Sequence, residues 1–316
     1  MTYLKKILLL IPLYFISCTA SQIENVFPQE EEQSAIGFNA KVNSRAFADI
    51  NSVKTNGIKV WGGYEGGTEP VFNGTEIVFG TNNNYTTDKY WTYNTYNFYA
   101  VYPKGTTATY NVADNTFTIN NYNVKNTEDL LCASATHTYP TNGTTVNLNF
   151  KHLLTKVSVN LVKDATENSG DKIVVTDVSL NGMYMQGNYT LTDGASPETG
   201  KWNGLANSST MSSGTINQEL TTSEIAVLTD CMMVPQTFSA DHTVYLVVNY
   251  TFDQGGDGNN ISTKTLIAPL PYGYVWGINT NIVYKATILV DHNIEFATPV
   301  VEEWGTEQAG GTIIIT

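Results

Sequence analysis

Apolar and polar residues alternate along most of this chain. Ile36–Gly37–Phe38–Asn39–Ala40–Lys41–Val42 sets Ile36, Phe38, Ala40 and Val42 on one side, the mark of a half-buried strand. The same period recurs at residues 57–64, at Val146, Leu148 and Phe150, at Val157–Ser158–Val159–Asn160–Leu161, and at greatest length over residues 282–290. Tyr96–Asn97–Phe98–Tyr99–Ala100–Val101–Tyr102 is almost wholly apolar and stops at Pro103, which predicts a central strand. Shorter strands are expected at Ile77–Val78–Phe79, at Tyr90–Trp91–Thr92, around Phe117 and Ile119, at Ile173–Val174–Val175, at Val178–Ser179–Leu180–Asn181, over residues 244–252 and at Thr265–Leu266–Ile267. Asp129–Leu130–Leu131–Cys132–Ala133 fits a strand or a buried turn. Residues 253–260 predict a hairpin turn, and the Gly, Ser, Thr and Asn of residues 193–214 a long loop.

Short strands between turn signals, with no long stretch of 3.6-residue period, predict an all-β sandwich protein. Its 316 residues suffice for two domains of ordinary size. We place their boundary near residue 155, giving an N-terminal sandwich over 36–155 and a C-terminal one over 156–316.

The first residues follow a different pattern. Lys5 and Lys6 precede an apolar run from residue 7 to residue 16, then Ser17 and Cys18. That run matches a secretory signal over 1–17 and is shorter than the ~20 residues a spanning helix needs. Cys18 directly after a small residue predicts cleavage before it and lipidation of its thiol and amine. Two or more acyl chains hold a protein on a membrane stably. Residues 18–35 form an acidic tether around Glu30, Glu31 and Glu32, too poor in apolar residues to fold alone.

The net charge of −13 disfavours a nucleic-acid partner, whose phosphates require basic contacts. His137, His152, His242 and His292 show no zinc-ligand spacing. Residues 253–260 resemble a calcium loop in composition, but the twelfth position, Lys264, is not the bidentate Glu that an EF-hand requires. Cys132 and Cys231 lie far apart and are expected to be buried free thiols. No cofactor, no metal and no catalytic residue is predicted. Arg45, followed by Ala46, is the one arginine in the chain, an address for an arginine-specific protease.

Several segments together resemble the fimbrillin family, the type V pilins and Mfa-like surface lipoproteins of bacteroidete bacteria. They are Ile36–Gly37–Phe38–Asn39–Ala40 with Arg45–Ala46, Ile58–Lys59–Val60–Trp61–Gly62, Phe98–Tyr99–Ala100–Val101–Tyr102–Pro103, Asp129–Leu130–Leu131–Cys132–Ala133, Val234–Pro235–Gln236 and Val301–Glu302–Glu303–Trp304. The most specific is Val146–Asn147–Leu148–Asn149–Phe150–Lys151–His152–Leu153–Leu154–Thr155–Lys156–Val157. The resemblance implies two tandem transthyretin-like β-sandwich domains and export to the cell surface as a lipoprotein. It further implies maturation by cleavage after Arg45 and polymerisation with other pilin subunits by β-strand exchange. His152 is then expected to pack and hydrogen-bond at the domain junction.

In that reading the strand carrying Ile36, Phe38, Ala40 and Val42 completes the first sandwich and departs once the chain is cut. Thr312, Ile313, Ile314 and Ile315 are β-branched and uncharged behind the hinge Gly310–Gly311, and are the expected donor strand. A rival donor spans residues 294–301. The alternatives are a tip adhesin or anchor subunit binding a host or bacterial adhesion ligand, for instance through residues 193–214. A glycan-binding surface lipoprotein using Tyr90, Trp91, Tyr93 and Tyr96 is another.

Overall fold

The computed structural model describes residues 33–42, 48–80, 84–125, 128–166, 170–239, 241–289 and 292–304. Cys18, Arg45, Ala46 and Thr312, Ile313, Ile314 and Ile315 lie outside these residues. In the first half the strands are β1 (Ala35–Val42), β2 (Ile58–Tyr64), β3 (Phe72–Ile77), β4 (Asn84–Tyr90), β5 (Thr95–Tyr102), β6 (Ala108–Asn111), β7 (Thr116–Asn123), β8 (Leu131–Thr138) and β9 (Thr145–His152). The second half holds β10 (Thr155–Lys163), β11 (Lys172–Thr192), β12 (Lys201–Ser212), β13 (Gln218–Glu219), β14 (Ile225–Met233), β15 (Gln236–Thr237), β16 (Tyr245–Asp253), β17 (Ile261–Pro269), β18 (Val275–Trp276), β19 (Thr280–Ile288), β20 (Ile294–Phe296) and β21 (Val300–Glu303). The protein is an all-β sandwich protein; a short α-helix, α1 (Ile50–Asn56), follows β1.

The first sandwich faces β3-β2-β5-β8 against β9-β1-β4, the two being joined where Leu131 and Cys132 pair with His152 and Lys151. Its core holds Ile36, Phe38, Val53, Ile58, Val60, Phe72, Phe98, Val146, Leu148 and Phe150. β5 is buried on both faces, as its unbroken apolar run predicts. Phe98 and Ala100 enter the first core, while Tyr99 and Val101 enter a second one with Phe117, Ile119, Tyr189 and Leu191.

The second sandwich faces β14-β10-β19 with β20 and β21 against β17, β16 and the first part of β11. Its core includes Val157, Val159, Leu161, Ile173, Val175, Val178, Leu180, Leu246, Val248, Ile282 and Tyr284. The period-two patterns at Val146 to Phe150 and Val157 to Leu161 match the observed inward faces.

Three expectations need correction. Residues 173–181 do not make two strands; they belong to one strand of 21 residues, β11, which continues through a bulge at Gly182 (φ 94°). Residues 193–214 are not a loop, for Lys201–Ser212 form β12 and pair antiparallel with β11. Polar strands escape composition rules because backbone pairing needs no apolar side chain, and three half-buried anchors, Trp202, Leu205 and Met211, suffice here. The strand expected at Ile77–Val78–Phe79 lies earlier, at Phe72–Ile77, and β4 ends at Tyr90.

β11 binds the two halves together. Its first part pairs with β16 and its second part with β7. β12 pairs with residues from both parts; a strand has only two edges, so β16 and β7 share one edge end to end and β12 takes the other.

Candidate functional site

The strand singled out by its alternation, β1, sits inside the first sandwich between two neighbours. Residues Gly37 to Val42 run parallel to Thr145 to Phe150 of β9, while Ala35, Gly37, Phe38 and Asn39 pair antiparallel with β4. Ile36 and Phe38 are fully buried, Ala40 is buried and Val42 half-buried. The Phe38 ring meets Phe72 and Phe98 edge-on at 5.3 and 5.4 Å between centroids. Side chains of this size contribute about 1.5–3 kcal/mol each when buried, so β1 is a main support of this core.

Each end of β1 is fixed separately. At its start, the Trp91 backbone N–H donates to the Ser34 carbonyl at 3.0 Å, and the Trp91 indole N–H donates to the Thr144 carbonyl at 3.1 Å. The Trp91 ring makes stacked contacts with both His137 and Tyr139. Beyond the 43–47 connection the chain is anchored again, by buried Ala48 and by α1, whose Val53 is buried. Asp49 caps that helix by accepting from the Ser52 N–H at 2.9 Å, and this bond holds its carboxyl below the usual range. Two independently anchored elements therefore flank the segment that contains Arg45.

β4 has no other strand partner than β1 among the described residues. Removing β1 would uncover the Phe72 and Phe98 rings and leave facing edges of β9 and β4 unpaired, a slot for an extended chain.

The segment from Phe150 to Val157 forms the end of β9 and the start of β10. His152, 3% exposed, places Nδ1 2.7 Å from Asp129 Oδ2 and stacks on the Trp304 ring at 4.1 Å and 12°. The Trp304 backbone N–H donates to the Asn279 carbonyl. Beside it, Lys151 Nζ lies 3.1 Å from Glu198 and 4.0 Å from Glu303. The strand that receives β1 is thus packed at its far end against the last described residue of the chain. The packing and hydrogen-bonding part expected of His152 is what the geometry gives it. Glu302 and Glu303 lie on β21, paired with β19. The rival donor, residues 294–301, contributes β20 and the start of β21 to its own sheet.

The residues considered for chemistry are scattered. Cys132 is fully buried in the second core, and burial pushes its thiol well up; His137 of the same strand stacks on Trp91 of the first core. Burial likewise pushes the Cys231 thiol up to about 11. Both cysteines are free. Of the aromatic residues named for sugar binding, Trp91 and Tyr96 are buried, while Tyr90 and Tyr93 are exposed. Residues 253–260 form the β16–β17 hairpin turn. Among the described residues no group of His, Cys, Asp or Glu is arranged to hold a metal ion.

A family model described as fimbrillin-like matches residues 44–304. The chain belongs to the fimbrillin-like family. Among solved structures, a fimbrial protein from Bacteroides vulgatus ATCC 8482 is similar at 16% identity and TM-score 0.62, over 85% of this chain and 99% of that one. A candidate cell adhesion protein from Parabacteroides distasonis ATCC 8503 is similar at 11% identity and TM-score 0.59, over 88% and 99%. Another from Bacteroides uniformis ATCC 8492 gives 13% identity and TM-score 0.50, over 86% and 99%. At these identities the likeness is one of fold. No curated protein matches the chain. The family model begins at residue 44, so this fimbrillin-like chain carries β1 ahead of the matched region.

Proposed function

We propose that this protein is a non-enzymatic structural subunit of a cell-surface fimbria, exported as an outer-membrane lipoprotein through Cys18 and polymerised by strand exchange. The observation that carries the reading is the seat of β1. A strand paired on both edges, with Ile36 and Phe38 fully buried, is covalently joined to the rest of the fold only through residues 43–47, which contain the chain's one arginine. An arginine-specific protease cutting between Arg45 and Ala46 converts β1 from a covalent part of the sandwich into a bound peptide. Its loss opens the slot between β9 and β4, and another subunit's extended segment refills it. The donor is the tail with Thr312, Ile313, Ile314 and Ile315, because the rival segments already pair with β19.

The partners are other pilin subunits, the outer membrane through lipid, the protease, and whatever host or bacterial ligand the finished fimbria meets. Arg45→Ala tests the reading. The variant should reach the surface, fold with the same melting temperature and form no fibres by electron microscopy. Normal assembly of this variant would remove strand release as the switch.

A further inference from the structure

Open sheet edges invite pairing with other chains, and proteins guard them with charges, proline or shortness. Nearly every free edge here is guarded. β3 carries Glu76, β4 carries Asp88 and Lys89, β14 carries Asp230, and β20 carries Glu295. β17 holds Lys264 and ends on Pro269, and β6 is four residues long. β12 differs. Past Lys201 it has no charge and no proline, and no described strand pairs with the edge opposite β11. Left-handed Gly204 and Asn207 bend its first half, leaving Ser208–Ser209–Thr210–Met211–Ser212 as the straight run. Of those five side chains only Met211 is partly buried.

Charges reappear at the two ends of this neutral stretch with opposite signs. Lys201 stands opposite Thr190 of β11, and Glu219 opposite Val174, both along the same edge. Both are exposed, and neither has an ion-pair partner among the described residues. Each is nine residues from Thr210.

We propose that β12 is a self-association edge, at which two copies of this chain pair antiparallel about a two-fold axis through Thr210. In that register Thr210 faces its own mate, Ser208 faces Ser212, and each copy's Lys201 approaches the other's Glu219. The arrangement brings together what is, among the described strands, the one long edge without like charges on a chain of net charge −13, and a two-fold contact of this kind closes on itself as a dimer. It does not depend on release of β1, since β12 lies in a different sheet. It gives a fimbrillin subunit a sideways contact separate from any end-to-end one.

The test uses the full chain with Cys18→Ala, purified in mild detergent so that only added thiols are exposed. Thr210→Cys should form a disulfide dimer on mild oxidation, because facing Cα atoms of an antiparallel pair lie about 4.5–5.5 Å apart, within disulfide reach. Ser208→Cys or Ser212→Cys alone should not cross-link, whereas a mixture of the two should. In sedimentation velocity, Lys201→Glu should weaken the dimer about tenfold, since each contact is made twice and attraction becomes repulsion. Glu219→Lys should do the same, and the double swap should restore the original affinity. A chain that stays monomeric at every concentration overturns the proposal. So does a dimer whose Thr210→Cys variant does not cross-link, or whose double charge swap does not recover.

Discussion

The Phe38 ring stands edge-on to Phe98 across the first sandwich, with centroids 5.4 Å apart and planes at 86°. This contact joins the strand proposed to leave, β1, to the central strand β5. Phe38→Ala should lower stability by about 3–5 kcal/mol, as for other fully buried Phe side chains. Urea denaturation followed by tryptophan fluorescence measures it, and a midpoint unchanged from the parent would show that β1 does not support this core.

The stack of His152 on Trp304 ties the end of β9 to the end of β21. Trp304→Ala removes a side chain only 4% exposed and should cost about 3–5 kcal/mol. Phe150→Ala, at 2% exposure, should cost a similar amount. The two sites lie in different cores, so the double variant should show nearly additive losses in the same denaturation experiment. Strong non-additivity would place both in one cooperative contact.

Much of this architecture is legible in the chain. The alternating segments at β1, β9, β10 and β19 are half-buried strands, and their inward faces are the apolar ones. Burial on one side of a sheet imposes a period of two on the sequence, so such strands announce themselves. β12 announces nothing, since its stability comes from pairing with β11 and from three apolar anchors spaced irregularly around a bulge. Glycine carried the missing signal. A side chain at Gly187 would come within 2.9 Å of Leu205 and 3.1 Å of Trp202, and one at Gly200 would overlap the Tyr189 ring. Those glycines let β12 lie close on β11, yet Gly200 falls in the stretch that reads as loop. The seat of β1 was legible as an apolar strand, whereas its parallel pairing with β9 was not, because long-range register leaves no local trace.

Gly200→Ala tests the β11–β12 hairpin. Its backbone is extended (φ −63°, ψ 166°) and accepts alanine, but the added methyl meets the buried Tyr189 ring. Overpacking of this kind costs about 1–3 kcal/mol. Gly214→Ala, where a Cβ meets nothing within 4 Å but φ is 69°, isolates the backbone effect. A Gly200→Ala protein as stable as the parent would mean that the hairpin is loosely held.

Cys132 and Cys231 are 0% and 2% exposed, with thiols driven to higher pKa by burial. The native protein should therefore leave both unmodified by a maleimide for hours at neutral pH, and the unfolded protein should modify both at once. Rapid labelling of the folded chain at either position, read by peptide mass spectrometry, would contradict their burial.

Strand exchange at the β1 slot is tested most directly by the composition of the assembled fimbria. Fibres sheared from cells are dissociated, and the subunit is subjected to N-terminal sequencing and intact mass measurement. The account predicts a chain that begins at Ala46 and lacks the Ile36–Phe38–Ala40–Val42 strand, while the unassembled precursor retains it. Assembled subunits that still carry residues 35–42, covalently joined through Arg45, would contradict it.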